Sequence, residues 1–549
     1  PFLSDGVTVD HNLIIKDPTA LFADVSANDL GLRPDAEAID AGSPELSPMR
    51  DAAGTTRPQG KGIDIGAYEF TKSAGPRRSL TSRSCVMKQR KTVMESCRLL
   101  IHLVIASLLG TTAFAADTTR YVFELEIPGP SDDEDSAGGI IVADVTSDGK
   151  PDYLVTCTGH LAVHDNRGSK LWVKKTDIVV GWQSESQGLP GHNGPGVGAG
   201  DVDGDGRTEV VFLTQDGALH VVDGAKGAEK ATIRPPVPAG AQRWEVAMIG
   251  DFRGVGEDRD LLLQATNKSG YRMGRYLAAY SFDALFAGQQ PLWSTDEFVS
   301  CAHNGARLAD LDGDGRDEVL GATVFSPDGK LLVQAQPFRG HMDSVFAADV
   351  RPDAPGLEVI LLEEGSNCVQ VLGVKGPIWR EHFKHQEPQN AAIGRFKPGS
   401  SEFFIWCRSR YNEYQKPFVF DARGTKVFDY ELDDVAPAGW TNRGVEVIHT
   451  IDWTGEARQM ACAKERHRSG DVCLFEPITG RFVQRISEKA DRLYVADVTG
   501  DWREEIIVLN GNELHVYENR TANPRPDAMR LWEDRNYRRL KQCHNYYSP

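Results

Sequence analysis

One sequence pattern recurs eight times between residues 137 and 505: a few apolar or small residues, a marker residue, a turn, an acidic residue and a second apolar run. The clearest copies are Gly196 to Val210 (GVGAGDVDGDGRTEV) and Gly305 to Val319 (GARLADLDGDGRDEV). The eight markers are Asp144, Asp201, Asp251, Asp310, Asp349, Arg395, Asp452 and Asp497. Their spacing of 39 to 59 residues, filled with short β-rich runs, is typical of propeller blades. The sequence therefore predicts an all-β fold, an eight-bladed β-propeller, with seven blades as the alternative.

A secretory signal peptide is predicted inside the chain, at residues 87–115. Basic residues between Lys88 and Arg98 precede an apolar stretch from Leu99 to Leu109, and Ala113-Phe114-Ala115 supplies a small-residue cleavage site. The apolar stretch is shorter than the roughly 20 residues that a membrane-spanning helix needs. We therefore expect a secreted or periplasmic protein with no membrane span after cleavage.

Residues 1–86 precede that signal and lack the repeat. Leu32 to Phe70 resembles the closing coil of secreted right-handed parallel β-helix proteins, and such a coil has nothing to stack on by itself. We interpret 1–72 as an orphan tail fragment, 73–86 as a junction, and 116–549 as the propeller and catalytic domain. The alternative is a two-domain protein with an internal hydrophobic hairpin.

Charge and cysteine content narrow the function. The formal net charge of −18, without a basic stripe interleaved with aromatic residues, argues against nucleic acid as a partner. Seven of the nine cysteines lie in the propeller, scattered without metal-ligand spacing. Cys462 and Cys473 flank a predicted hairpin and are either a disulfide or two buried thiols. We expect a monomer.

The repeat turns carry the spacing of a calcium site. Carboxylates at positions i, i+2, i+4 and i+8, separated by glycines, let a tight loop turn several hard oxygen ligands toward one cation. Two turns are complete, and two keep the ends of the pattern but have threonine at the second position. The predicted Ca²⁺ ligands are Asp201, Asp203, Asp205 and Glu209; Asp310, Asp312, Asp314 and Glu318; Asp144, Asp148 and Asp152; and Asp497, Asp501 and Glu505. The alternative is a solvated turn, and in either case we expect a structural role.

The segments that lead into the innermost strands should converge at one end of the central channel, which we call the mouth. They are rich in histidine, amide and arginine side chains. In chain order they contain His192-Asn193, Arg243-Trp244, His303-Asn304, His341-Met342-Asp343, Gln389-Asn390, Asn442-Arg443 and Asp491-Arg492. A mouth of this composition suits an acidic polysaccharide, because arginine pairs with carboxylate and sugar rings stack on tryptophan. Trp244 and Trp440 are candidate sugar platforms, with inter-blade core as the alternative.

These residues lead to a family resemblance. The stretch from Ala302 to Glu364, with AHNGARLADLDGDGRDEV, RGHMDS and PGLEV, resembles the centre of the polysaccharide lyase family 11 rhamnogalacturonan lyases, which are eight-bladed, calcium-rich propellers. ADVTGDWREEII at Ala496 to Ile507 and the tail from Leu531 resemble the end of that family in the same order. Two positions depart from the family pattern: Ile486-Ser487-Glu488 stands before Lys489, and Gln389-Asn390 stands where an arginine is expected.

The resemblance implies cleavage of a uronate- and rhamnose-containing polysaccharide by β-elimination. This reaction needs a cation on the uronate carboxylate, a base for the C5 proton and an acid for the leaving O4. Arg443, Arg492 or a calcium ion are candidates for the first role, Lys489, His341 or His303 for the second, and Tyr411, Tyr414 or the same base for the third. The predicted catalytic residues are His341, Lys489, Arg492, His303 and Asp343. The predicted substrate-binding residues are His192, Asn193, Trp244, Asn304, Asn390, Arg408, Tyr411, Trp440 and Arg443.

Two functions from other classes remain open. A non-catalytic propeller of the FG-GAP or integrin type would bind glycan or protein. A glycoside hydrolase on a propeller would need two facing carboxylates, and the sequence singles out no such pair.

The position of the predicted signal peptide can be tested directly. We expect the mature protein to begin near Ala116, because the cleavage site follows the apolar stretch at once. N-terminal sequencing of exported material gives the answer. An N-terminus within residues 1–86 would contradict the prediction.

Overall fold

The computed structural model describes residues 22–24, 29–41, 56–58, 60–61, 64, 118–129, 138–180, 196–267, 274–300, 305–335, 342–363, 366–382, 387–410, 417–436, 445–465 and 470–543. The chain forms two compact units, Pro1–Gly110 and Thr111–Pro549. In the first unit, β1 (Phe22–Asp24) and β2 (Asp29–Leu32) pair in antiparallel fashion. The Asp64 carboxylate there accepts the Asp40 amide at 2.7 Å. The predicted signal peptide lies outside the described residues.

The described part of the second unit starts with β3 (Thr118–Glu124) and contains eight four-stranded antiparallel sheets, the blades. Blade 1 contains β4 (Gly139–Ala143), β5 (Asp152–Cys157), β6 (His160–His164) and β7 (Lys170–Lys175). Blade 2 contains β8 (Val197–Gly200), β9 (Glu209–Leu213), β10 (Leu219–Asp223) and β11 (Glu229–Ile233). Blade 3 contains β12 (Ala241–Gly250), β13 (Asp260–Asn267), β14 (Tyr276–Ser281) and β15 (Trp293–Thr295). Blade 4 contains β16 (Arg307–Ala309), β17 (Glu318–Leu320), β18 (Thr323–Phe325) and β19 (Leu331–Gln334).

The second half of the ring repeats this order. Blade 5 contains β20 (Met342–Ala348), β21 (Glu358–Glu363), β22 (Cys368–Gly373) and β23 (Gly376–His382). Blade 6 contains β24 (Glu387–Gly394), β25 (Phe404–Arg410), β26 (Phe418–Asp421) and β27 (Lys426–Asp429). Blade 7 contains β28 (Val445–Ile451), β29 (Met460–Glu465), β30 (Val472–Phe475) and β31 (Phe482–Ile486). Blade 8 contains β32 (Arg492–Ala496), β33 (Glu505–Asn510), β34 (Glu513–Asn519) and, outermost, β3.

The ring is closed by β3. This strand precedes blade 1 in sequence but pairs with β34 in a continuous register from Thr118↔Asn519 to Glu124↔Glu513. Each innermost strand contacts the innermost strand of the next blade, and β32 of blade 8 contacts β4 of blade 1. The prediction of an eight-bladed propeller is confirmed, and the seven-bladed alternative is excluded.

The apolar core lies between blades. Trp172 of blade 1 packs in one cluster with Ala199 and Phe212 of blade 2, and the rings of Trp406 and Phe475 join blades 6 and 7 at 5.3 Å. Burial of one such large side chain contributes roughly 1.5–3 kcal/mol. The innermost strands need small residues because they crowd around the axis. A Cβ added at Gly250 in blade 3 would lie 2.8 Å from Leu308 Cδ1 in blade 4.

Two cysteines of blade 7 are not a disulfide. Cys462 pairs in register with Leu474, whereas Cys473 pairs with Ala463, so the two thiols point to opposite faces of the sheet. Cys462 packs toward blade 8, Cys473 packs toward blade 6, and both are free and buried. The disulfide expected as one alternative is therefore wrong.

Among the described residues, three short helices and one 3₁₀ turn interrupt the β-structure. They are α1 (Phe282–Phe286), α2 (Leu432–Val435), the 3₁₀ turn Leu531–Glu533 and α3 (Arg535–Gln542). The Asp534 side chain caps α3 by accepting the amide of Tyr537 at 2.8 Å. No helix in the described part of the chain is long and apolar enough to cross a membrane.

Helix α3 lies across the central channel at the end opposite the mouth. On one side of the ring, Arg307 of blade 4 donates to the Leu540 carbonyl at 2.5 Å. On the other side, Tyr494 of blade 8 donates to the Lys541 carbonyl at 3.0 Å. Blades 4 and 8 face each other across an eight-bladed ring, so α3 occupies the channel at this end, which we call the turn end.

Lys541 carries an ammonium group into this closed end. Its Nζ donates to the Val495 carbonyl at 2.7 Å. Burial lowers the pKa of Lys541 to about 8, although the charge of Glu504 acts in the opposite direction. The folded state therefore loses this proton at a lower pH than the unfolded chain does.

The depressed pKa predicts a pH-dependent contribution to stability. Between pH 8 and 10.5 the unfolded chain holds a proton that the folded chain has released, so stability rises with pH across this window. In urea unfolding measured from pH 7 to 10.5, the free energy of unfolding of wild type should rise by on the order of 3 kcal/mol relative to that of Lys541→Met. Lys170→Met, which removes a half-exposed lysine paired with Glu126, is the control and should show no such trend. If the difference in free energy of unfolding between wild type and Lys541→Met does not change with pH, the prediction is contradicted.

Candidate functional site

The mouth residues of blades 5 and 6 form one hydrogen-bonded group. Ser344 Oγ donates to the Gln389 carbonyl at 2.5 Å, and Gln389 Oε1 accepts from Arg408 at 2.9 Å. Asn390 pairs in register with Arg408, so both predicted substrate-binding residues stand at the mouth end of blade 6. The predicted catalytic residue Asp343 is the second residue of the neighbouring strand β20. The side chains of Asp343, Asn390 and Arg408 are buried. An arginine thus reaches the position next to Gln389-Asn390 from the adjacent strand.

Lys489 and Arg492 stand at the mouth end of blade 8. Arg492 is buried, and its guanidinium donates to the Asp491 carbonyl at 2.8 Å and to the Gly138 carbonyl at 3.3 Å, which ties blade 8 to blade 1. Lys489 lies three residues earlier in the same segment and is exposed. The structure therefore brings an exposed lysine and a buried arginine into one short segment of the mouth.

A buried network anchors the backbone before Lys489. The Glu488 carboxylate lies 2.8 Å from His515 Nδ1, accepts Asn510 Nδ2 at 2.7 Å and accepts the Tyr517 hydroxyl. Burial raises the pKa of Glu488, but the hydrogen bonds from Tyr517 and His515 outweigh it and leave the pKa lowered. Sequence reasoning missed this network. Its signal is the alternation of His515 and Tyr517 on one face of β34.

Trp244 does not present its ring at the mouth. It is 2% exposed, lies in the core cluster between blades 2 and 3, and donates its indole N–H to the Pro235 carbonyl at 3.2 Å. Trp244 therefore belongs to the core between two blades, the alternative interpretation, and is not a platform for a sugar ring. The remaining predicted mouth residues lie outside the described residues. They are His192, Asn193, His303, Asn304, His341, Tyr411, Trp440 and Arg443.

The acidic turns share one hydrogen bond. The carboxylate at the start of the second strand accepts the amide of the residue after the marker, as Glu318 does from Leu311 at 2.8 Å and Glu505 from Val498 at 2.8 Å. Among the described residues, the same bond occurs in six blades, and the acceptors are Asp152, Glu209, Asp260, Glu318, Glu358 and Glu505. This acid holds the turn closed whether or not the turn binds a cation.

Only two turns gather carboxylates, among the residues that the structure describes. In blade 2, oxygen atoms of Asp201, Asp203 and Glu209 lie within 4.8 Å of one another. In blade 4, Asp310, Asp312 and Glu318 do the same. The two other predicted ligands in these turns, Asp205 and Asp314, pair instead with the arginine two residues on, at 2.8 and 3.3 Å.

The blade 1 and blade 8 turns are held in other ways. Asp148 and Asp152 both bind Asn166, at 2.9 Å through its side-chain amide and at 2.9 Å through its backbone amide. In blade 8, Asp497 pairs with Arg530 at 2.6 Å, and Asp501 pairs with Arg503. An arginine thus pairs with each of these two predicted calcium ligands.

The blade 4 turn concentrates negative charge. Burial raises the pKa of Glu318 to about 8, and although the Leu311 amide lowers it, the neighbouring Asp312, Asp314 and Asp310 raise it further. Within the described residues, no lysine or arginine nitrogen lies within 4 Å of the Asp312 or Glu318 carboxylate. This donor set of hard oxygens fits a calcium ion.

Comparison with known proteins finds two matching family models and two similar curated proteins. Residues 265–547 match the family model described as "Rhamnogalacturonan lyase family 11, C-terminal domain", and residues 144–212 match an "FG-GAP-like repeat". Two curated proteins of Bacillus subtilis (strain 168) are similar: rhamnogalacturonan exolyase YesX and rhamnogalacturonan endolyase YesW. Each is 24% identical, over 372 and 375 residues. The alignments cover 58% of this chain and 59% and 56% of the relatives, so the chain spans less than two thirds of their length.

Likeness to solved structures is weak. The computationally designed Ika8 protein aligns over 72% of this chain and 98% of its own, with a TM-score of 0.44 and 11% identity. Saccharomyces cerevisiae Sqt1 aligns over 72% and 100%, with a TM-score of 0.44 and 9% identity. Values at this level bear on neither fold nor function.

Proposed function

Because this chain belongs to rhamnogalacturonan lyase family 11, we propose that its propeller is a polysaccharide lyase that cleaves a rhamnogalacturonan-like polysaccharide by β-elimination at the mouth. The observation that carries the proposal is the family match from residue 265 to 547, which includes Lys489 and Arg492 in blade 8. Two relatives named as rhamnogalacturonan lyases support it. We further propose that the protein is secreted or periplasmic and acts as a monomer.

The chemistry assigns a role to each charged group at the mouth. The C5 proton of a uronate becomes acidic enough to remove only when the adjacent carboxylate is neutralised. Arg492 is the candidate for this role because its guanidinium is fixed by two backbone carbonyls, which reduces the entropy lost when substrate binds. Arg408 of blade 6 supplies a second fixed cation.

Lys489 is the candidate base. The residue is exposed at the mouth, and the Glu488 network anchors the backbone beside it. After the C5 proton is taken up, the C4–O4 bond breaks, a C4=C5 double bond forms, and the leaving O4 gains a proton from solvent or from the protonated base. His341 and His303 are the alternative bases.

We also propose a structural calcium ion in the blade 4 turn. Asp310, Asp312 and Glu318 would hold it, and the cation would offset the mutual repulsion of these carboxylates. Asp310 accepts a contact from Arg535 at 3.8 Å, and the amide of Asp310 donates to Asn536 Oδ1 at 2.9 Å, so this turn also seats α3. The ion would lie at the turn end of the channel, away from the mouth, and would take no part in the reaction.

A second candidate function is a non-catalytic propeller that binds glycan or protein. The match of residues 144–212 to an FG-GAP-like repeat favours it. The two functions differ in one outcome, because only the lyase changes the covalent structure of the polysaccharide.

Elimination can be followed by absorbance near 235 nm, which reports the conjugated unsaturated uronate. Wild type should generate this signal from rhamnogalacturonan, and Lys489→Ala should lower the rate by about 100- to 10,000-fold if the amine is the base. Lys170→Ala, at an exposed lysine on the outermost strand of blade 1, is the control and should leave the rate unchanged. Retention of the polymer on an affinity gel without unsaturated product would replace the lyase with the binding module.

The calcium proposal predicts a metal-dependent melting temperature. A ligand at about 100 times its Kd stabilises the folded state by roughly 2.7 kcal/mol, so a chelator should lower the Tm of wild type. Asp312→Asn should lower the Tm in calcium and change it little in chelator. Asp501→Asn is the control. Because the Asp501 carboxylate pairs with Arg503, this substitution should lower the Tm by the same amount in calcium and in chelator. If Asp312→Asn lowers the Tm equally in calcium and in chelator, the proposal is contradicted.

A further inference from the structure

The turns of blades 2 and 4 carry the same acidic pattern but different surroundings. In blade 2, Lys230 Nζ lies 2.6 Å from Asp203 Oδ2, 2.7 Å from Glu209 Oε1 and 3.2 Å from Asp205 Oδ2. An ammonium group has three hydrogens to donate, and here three carboxylates surround it. The lysine comes from β11, the outermost strand of the same blade.

Two of the three oxygens that Lys230 contacts are ones that the turn leaves open, whereas Asp205 Oδ2 also accepts from Arg207. Asp203 Oδ1 accepts the Asp205 amide, and Glu209 Oε2 accepts the Val202 amide, so Lys230 takes the second oxygen of each. In blade 4, Asp312 Oδ1 and Glu318 Oε2 accept the matching amides. The second oxygens of Asp312 and Glu318 have no side-chain or backbone donor among the described residues.

Strand register identifies the position in blade 4 that matches Lys230. In blade 2, Val222 pairs with Val210 on one side and with Glu229 on the other. In blade 4, Phe325 pairs with Val319 and with Leu331. Val210 and Val319 each follow the last acid of their turn, so Leu331 matches Glu229. The next residue, Leu332, therefore matches Lys230, and it is exposed and uncharged.

We propose that the Lys230 ammonium is the built-in cation of the blade 2 turn and that this turn takes no divalent ion. Calcium binds oxygen ligands at about 2.3–2.6 Å, so an ion on the open oxygens of Asp203 and Glu209 would overlap the place of Nζ and be repelled by its charge. The blade 2 turn is thus closed by a covalently attached cation and holds its shape at any calcium concentration. The family expectation of a calcium ion does not fit this turn.

The inference concerns blade 2 and goes beyond the proposed function, and a pair of reciprocal variants tests it. In isothermal titration calorimetry of the full chain with CaCl₂, Lys230→Met should bind one more calcium equivalent than wild type, because three carboxylate oxygens lose the ammonium group. Leu332→Lys should bind one equivalent fewer, because it places an ammonium beside Asp312 and Glu318. An unchanged equivalent number for folded Lys230→Met would overturn the inference.

The outcomes separate this inference from the calcium proposed for blade 4. If wild type binds no calcium but Lys230→Met binds one equivalent, the blade 4 proposal fails and the Lys230 inference stands. If Lys230→Met does not fold, Lys230→Gln, which also removes the charge, takes its place, and an unchanged equivalent number for folded Lys230→Gln would overturn the inference. Circular dichroism of each variant monitors folding.

Discussion

The rest of the propeller depends on one hydrogen bond, which six blades make among the described residues: the amide after the marker donates to the carboxylate that starts the second strand. It closes the turn between the first two strands, and it satisfies a buried backbone N–H that would otherwise cost about 1–3 kcal/mol. Blades 3 and 5 make this bond with Asp260 and Glu358 although neither gathers a group of carboxylates among the described residues. The acid is therefore a folding device first, and a cation site is an addition to it.

Because the turn is closed without a cation, the other carboxylates of four similar turns can each have a different partner. Once the last acid holds the backbone, the remaining carboxylates can pair with whatever hydrogen-bond donor or cation the surrounding chain supplies. Asn166 serves blade 1, Lys230 serves blade 2 and Arg530 serves blade 8. Blade 4 keeps two open oxygens and stands beside α3, so a metal ion there would stabilise both the turn and the helix that fills the channel. The two ends of the propeller thus separate stability from the proposed chemistry at the mouth.

The sequence predicted what the repeat encodes locally and missed what distant segments contribute. The eight markers predicted eight blades because each blade repeats one strand order. The closing strand β3 carries no marker, and it pairs with residues almost 400 positions away. Spacing within a turn likewise could not reveal Lys230, which lies 21 residues after Glu209, or Arg530, which reaches Asp497 from 33 residues away. At the mouth, Lys489 and Arg492 were predicted from position, whereas Trp244 was placed in the core by packing that no local pattern specifies.

The mass balance of cleavage tests the central claim most directly. Elimination breaks the C4–O4 bond without adding water, so the two fragments of a defined rhamnogalacturonan oligosaccharide must sum to the mass of the starting compound, with one fragment carrying a double bond. Mass spectrometry of the products formed by the wild-type protein should show this sum. Fragments that together exceed the starting mass by one water would show hydrolysis and contradict the account, as would an oligosaccharide that stays intact while bound.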